Sequence, residues 1–143
     1  MTRRLALTLS GALFGALLTL PAAAADRTKA PEGARVYIIS PADGAVVSSP
    51  VTVLFGAEGI GVAPAGVDKP KTGHHHLIID ADVPPLDEPI PSDAHHRHFG
   101  GGQTQATIDL PPGKHRLFLM MGDMNHMPFD PPVMSQPITI TVK

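Results

Sequence analysis

Proline and glycine cut this chain into short pieces, and that limits its fold more than any other feature. The 16 prolines and 14 glycines make up about a fifth of the 143 residues. They stand between short apolar runs and form no low-complexity tract. After residue 26 no window carries the 3.6-residue apolar period of a helix. What remains reads as strands at 35–40 (RVYIIS), 51–58 (VTVLFGAE), 75–81, 105–110, 115–121 and 138–142 (ITITV). Val51, Val53 and Phe55 alternate with Thr52, Leu54 and Gly56, while Ala106, Ile108 and Leu110 share one parity. Residues 59–71 read as a loop; their GIGVAPAG lacks the following helix and the lysine of a phosphate cradle. Residues 83–93, with four prolines, read as a stiff extended crossing. Short, regularly spaced strands predict an all-β fold, a single Greek-key antiparallel β-sandwich of immunoglobulin-like type over residues 35–143.

The first 25 residues read differently. Arg3 and Arg4 precede an apolar run over 5–20, and PAAAAD offers a small-residue cleavage site before Asp26. This is the pattern of a secretory signal peptide. The run is short for a bilayer span, which needs about 20 apolar residues, so no membrane span is expected after cleavage. No cysteine stands at the junction to take a lipid. The twin arginines echo the signal that exports folded proteins, although Ala6 stands where that signal prefers a bulky residue. The expected location is the periplasm, with residues 26–34 as a flexible start.

Without Arg3 and Arg4 the chain carries 9 basic against 13 acidic side chains, a formal net charge of −4. Such a surface has no electrostatic hold on phosphate backbones, so nucleic acid is not an expected partner. Cysteine is absent. That excludes disulfides, iron–sulfur clusters and a blue-copper thiolate.

All eight histidines fall between positions 74 and 126. GHHHLIID holds His74, His75 and His76 at the start of a strand, and HHRHFGGGQT holds His95, His96 and His98. Imidazole is the commonest ligand for divalent transition metals, and an H-x-H pair on a strand points both rings to one face. His74 and His76 therefore share a face with Ile78 and Asp80, and His75 shares the other with Leu77 and Ile79. The second set is the stronger core face, which makes His75 structural and His74 with His76 ligands; a one-residue shift would reverse this. His96 and His98 repeat the arrangement if their segment is extended, and His126 adds a ligand from a later loop. His115 has the parity of Leu117 and Leu119, so it is expected at the core's edge, bonded to a loop backbone. Met120, Met121, Met124 and Met127 surround His126; their thioethers favour Cu(I), but the plainer reading is core packing. Asp80, Asp82, Asp87, Glu88 and Asp93 are read mainly as solvated carboxylates.

The ordered strings TGHHHLIID, PPLDEPIP, HRHFGGGQT, LPPGKHRL, GDMNHMP and DPPVMS resemble a family of small secreted bacterial proteins, domain-of-unknown-function family 4399, over about residues 40–142. The resemblance implies a motif set falling on His74, His76, His96, His98, Asp123 and His126. Some members carry a further histidine where this chain has Phe129. The family name implies no activity. SPADGAVVSSPVTVLF with the late PPGKHRL and GDMNHMP is also similar in layout to the periplasmic copper-resistance protein C family, a small sandwich that holds Cu(II). Asp123 and His126 are similar to that family's late motif, with two residues between them instead of one, but this chain has no histidine near its mature start, so any site must be built from the H-x-H pairs.

The expected function is periplasmic copper binding or handling through His74, His76, His96, His98, His126 and Asp123, with zinc as the other candidate metal. The expected partners are the metal ion and a periplasmic donor or acceptor protein. Asp123 is a ligand or an acceptor that orients a ring. Two other readings compete: a metal-free module binding a protein or small ligand, and a metal-dependent enzyme. The last has thin support, since no H-E-x-x-H or G-x-S-x-G is present.

Overall fold

A computed structural model describes residues 26–143; the secretory signal read over residues 1–25 lies outside the described residues. Nine strands and no helix are found among them: β1 (Arg35–Ser40), β2 (Val46–Val47), β3 (Val51–Glu58), β4 (Gly61–Val62), β5 (Thr72–Ile79), β6 (His96–His98), β7 (Gln105–Ile108), β8 (Gly113–Gly122) and β9 (Ile138–Val142). They form two sheets, one ordered β1-β3-β7 and one ordered β2-β9-β8-β5-β4, with β6 paired to β5. The all-β sandwich expected from the sequence is present. Pairing is antiparallel except at two edges, where the short β2 and β4 run parallel to β9 and β5. Such two-residue strands carry no periodicity: β4 lies inside the stretch 59–71 that reads as a loop, and β2 lies outside every strand expected from the sequence.

Period-two alternation decides which residues face between the sheets. Val51, Val53 and Phe55 of β3 meet Leu77 and Ile79 of β5, Leu117, Leu119 and Met121 of β8, and Ile140 and Val142 of β9 in one apolar core. The opposite face of the larger sheet is also covered. There Ile78, Phe118 and Met120 pack with Ile90, Leu86 and Met134, so the proline-rich crossing forms a third layer over β5 and β8. Strand β5 is consequently buried on both faces from Gly73 to Ile79.

His75 points between the sheets, as its parity predicts, with its ring 5.1 Å from that of Phe55. Neither nitrogen has a hydrogen-bond partner. Burial holds its pKa down to about 4, so the ring is neutral. His115 has the structural role read from its position: Nε2 lies 2.8 Å from the Pro111 carbonyl and Nδ1 lies 2.6 Å from Asp80. Burial opposes protonation, yet the bonds to Asp80 and Pro111 outweigh it and raise the His115 pKa.

The N-terminal residues are more engaged than a flexible start would be. Ala30 donates to the Asp130 carbonyl and Asp130 to that of Thr28. Arg27 donates to the carbonyls of Pro128 and Phe129, and the Thr28 hydroxyl donates to Asp123 at 2.6 Å. This strap lies along the loop that carries His126.

Two stability predictions follow from these histidines. His75→Leu replaces a buried, unpartnered imidazole with an apolar side chain of similar size and should raise the unfolding free energy by about 1–3 kcal/mol. Chemical denaturation measures it, and a loss of stability would show that the ring is satisfied in solution. The His115–Asp80 pair has the opposite pH sign to an ordinary carboxylate. Its contribution is full below the unfolded histidine pKa of about 6.5 and is lost as pH rises through the raised folded value. Asp80→Asn tolerates the left-handed backbone at φ 53. Its amide oxygen can still accept from the Arg116 amide, which donates to Asp80 at 2.8 Å. Urea titrations should therefore show this variant losing more stability at pH 5.5 than at pH 8.5; an equal loss at both would mean that His115 does not change charge in the folded state.

Candidate metal centre

Three adjacent strands and one returning loop bring four imidazoles together on the outer face of the larger sheet. His74 and His76 lie two residues apart on β5 and are fully buried. His98, at the end of β6, pairs directly across from His76. Gly122, at the end of β8, pairs across from His74. Having no side chain, Gly122 lets the following loop fold back over it. A Cβ there would lie 3.3 Å from the His126 Cα and 3.0 Å from the His76 Nε2. Gly100 does the same for His98, since a Cβ there would lie 2.3 Å from its ring.

The resulting arrangement is compact. Ring centroids lie 4.9 Å apart for His74 and His76, 5.0 Å for His74 and His98, 5.0 Å for His76 and His98, 5.0 Å for His74 and His126, and 4.8 Å for His98 and His126. The sixth separation, His76 to His126, is 6.2 Å. Five separations near 5 Å with one longer edge describe a distorted tetrahedron, whereas a square would have two diagonals about 1.4 times its sides. His74, His76 and His98 each bring one nitrogen within 4.8 Å of the others, a group that could hold a metal ion. The Nε2 atoms of His74 and His76 are 3.0 Å apart.

Loop geometry sets His126. Asp123 is buried, and its Oδ1 accepts from the amides of Asn125 at 2.9 Å and Met127 at 3.0 Å. This turn holds His126 at φ 68, a left-handed conformation uncommon for a residue with a side chain. The His126 amide donates to the Asp123 carbonyl, and its carbonyl accepts from Ile90 of the crossing, both at 2.9 Å.

Electrostatics disfavour charge on His74, His76 and His98. Burial first, and then neighbouring imidazoles, hold His74 down to about 4 and His76 to about 2. Burial and His126 lower His98 as well. Neutral rings 3.0 Å apart can share only one proton between their Nε2 atoms, and the Nδ1 atoms of both rings lack partners, as does the Nε2 of His98. At least one buried donor or acceptor is thus unsatisfied, at a cost of about 1–3 kcal/mol each. A cation accepting several of these lone pairs would remove part of that cost.

Of the residues expected at one site, His74, His76, His98 and His126 are together and two are elsewhere. His96 lies across from Ile78, two residues along β6 from His98, and its Nδ1 is 2.9 Å from Asp93. Asp123 contacts Thr28 and its own loop, so both its oxygens are engaged without touching a ring. It positions His126 through the backbone. Sequence reading missed Arg27 and Thr28, whose contacts with residues 123–130 span about 100 positions and leave no local signal. It also missed the covered outer face, although Ile78 shared the parity of His74 and His76, and Leu86 and Ile90 stood in the crossing.

In the metal-free protein the depressed values predict an acid-labile cluster. Unfolded imidazoles take up protons near pH 6.5, whereas folded His74 does so only at about 4. Stability should therefore fall as pH drops through this window, by about 1.4 kcal/mol per pH unit for each such group. Nitrogen-detected NMR should find His74 and His76 neutral at pH 5.5; protonated rings there would contradict the buried geometry.

A family model described as a domain of unknown function, DUF4399, matches residues 53–143. The match contains both H-x-H pairs and the GDMNHMP loop. No curated protein and no solved structure matches the chain. The chain belongs to the DUF4399 family.

Proposed function

We propose that this protein binds a single copper ion in the periplasm and serves as a carrier or buffer, with His74, His76, His98 and His126 as the ligands. The observation that carries the reading is the near-tetrahedral set of four rings, five of whose six separations lie between 4.8 and 5.0 Å. A metal–nitrogen bond of about 2.0–2.1 Å places each ring centroid roughly 3.2 Å from the ion, and a tetrahedron of that radius has edges of about 5.2 Å. Five of the six observed edges lie near this value, and His74, His76 and His98 already bring their nitrogens within 4.8 Å of one another, so closing the site asks mainly for a turn of the His126 ring.

Copper is preferred on two grounds. Divalent copper heads the affinity order for nitrogen sites. The donors are also imidazoles, uncharged when they bind a metal, with two of them fully buried and no carboxylate among them, so a singly charged Cu(I) costs least to desolvate. The tetrahedral arrangement suits Cu(I) better than Cu(II), which favours square geometries. It suits zinc too, which makes zinc the second reading. Secretion rests on the signal-like residues 1–25, and a periplasmic donor or acceptor protein would complete the route of the ion.

Untagged protein, expressed with its natural N-terminal segment and recovered from the periplasm, should carry about one equivalent of copper by elemental analysis. Removing ligands should cost about tenfold or more in affinity. His98→Ala and the pair His74→Ala with His76→Ala should show this in competition with a chelator. His75→Leu, adjacent in sequence but facing the other layer, should bind as wild type does. One equivalent of zinc without copper would move the assignment to zinc. Absence of metal, with no thermal stabilisation by Cu(I), Cu(II) or Zn(II), would reduce the cluster to a structural network.

A further inference from the structure

A cavity of about 430 Å³ opens where β6 and the following turn face β7 of the other sheet, and its lining includes His98 together with Asp93, His96, Arg97 and Asp109. His98 is therefore the member of the buried cluster that also meets this space; His74 and His76 are fully enclosed. His96 lies on the same face of β6, about 6.6 Å further along the strand. Two carboxylates against one guanidinium make the opening attractive to cations. An ion with six waters occupies roughly 200 Å³ at about 30 Å³ per water, which the cavity can accommodate.

His96 is prepared for a metal in a way that the cluster histidines are not. Asp93 Oδ1 accepts from the amides of His95 at 2.8 Å and His96 at 2.9 Å, and it lies 2.9 Å from the His96 Nδ1. An ionised carboxylate can only accept, so Nδ1 carries the proton and Nε2 presents its lone pair. A carboxylate fixing the tautomer and direction of an imidazole in this manner is the usual support of a metal-binding histidine.

We propose that His96, oriented by Asp93, is a landing ligand through which the ion passes between the cavity and the cluster, with His98 as the receiving ligand. This rests on the metal-binding reading above. An aquated ion exchanges one water for the His96 Nε2, then exchanges that nitrogen for His98 as the remaining waters leave. Charge is conserved at each exchange, because each one replaces a neutral ligand, water or imidazole, by another. A way-station lowers the barrier in both directions, so it changes rates and leaves the equilibrium nearly untouched.

The test is stopped-flow mixing of the metal-free protein with aqueous Cu(II) or Zn(II), and in reverse the removal of bound metal by a chelator. His96→Gln keeps a donor for Asp93 but has no imidazole. It should slow uptake and release alike by about tenfold or more, with the dissociation constant within about threefold of wild type. Asp93→Asn, which unfixes the tautomer, should slow both by a smaller factor and provides a second variant if the first folds poorly. Wild-type rates in both variants would overturn the proposal, and so would a tenfold weaker equilibrium affinity with unchanged uptake, which would make His96 a member of the cluster. A wild-type protein that takes up neither ion, and is not stabilised by Cu(I) either, would fail at the metal-binding reading itself, a result distinct from either of these.

Discussion

Strand β5 is buried on both faces, and the rest of the architecture follows from that constraint. A strand between two sheets needs only one apolar face, and Leu77 and Ile79 supply it. The other face carries Ile78 and two histidines, which would be ordinary at a solvated surface. Here the crossing lays Leu86 and Ile90 over Ile78, and His74 and His76 beside it are fully buried. Four imidazoles are thereby confined where several of their nitrogens have no protein partner. Such groups are costly to bury, so their concentration in one small volume requires compensation.

The means of holding the cluster are mostly backbone. Cross-strand register sets His98 beside His76, and the empty side of Gly122 admits the loop bearing His126. Asp123 shapes that loop by accepting two of its amides, and the N-terminal strap ties Asp123 and residues 128–130 in place. Ile90 joins the His126 carbonyl to the crossing, so the cover and the fourth ring move together. Among the described residues no carboxylate or carbonyl bonds the rings of His74 and His76; packing and their mutual Nε2 contact orient them.

Chemically the enclosed cluster and its approach differ. Inside, His74 and His76 are neutral and have no anionic partner, which suits an ion of low charge. At the cavity stands a histidine with a carboxylate behind it, suited to capturing a hydrated cation. On the carrier reading proposed above, the first would serve retention of the ion and the second its capture.

Much of this was legible in the residues. Strands at 35–40, 51–58 and 138–142 appear with the boundaries that alternation and punctuation predict, and the parity of His74 and His76 against His75 is as the pattern required. These are consequences of a backbone whose side chains alternate with period two, a local property that a sequence displays directly. What the sequence could not decide was which imidazoles meet. His96 and His98 have the same spacing as His74 and His76, yet only His98 reaches the cluster, because pairing places it opposite His76 and places His96 opposite Ile78. The return of His126 depends on a left-handed residue, on Gly122 and on contacts to Thr28 some 95 positions away. Residue type and spacing determined the ligand chemistry; register, burial and loop closure are long-range properties, and only the tertiary structure settled them.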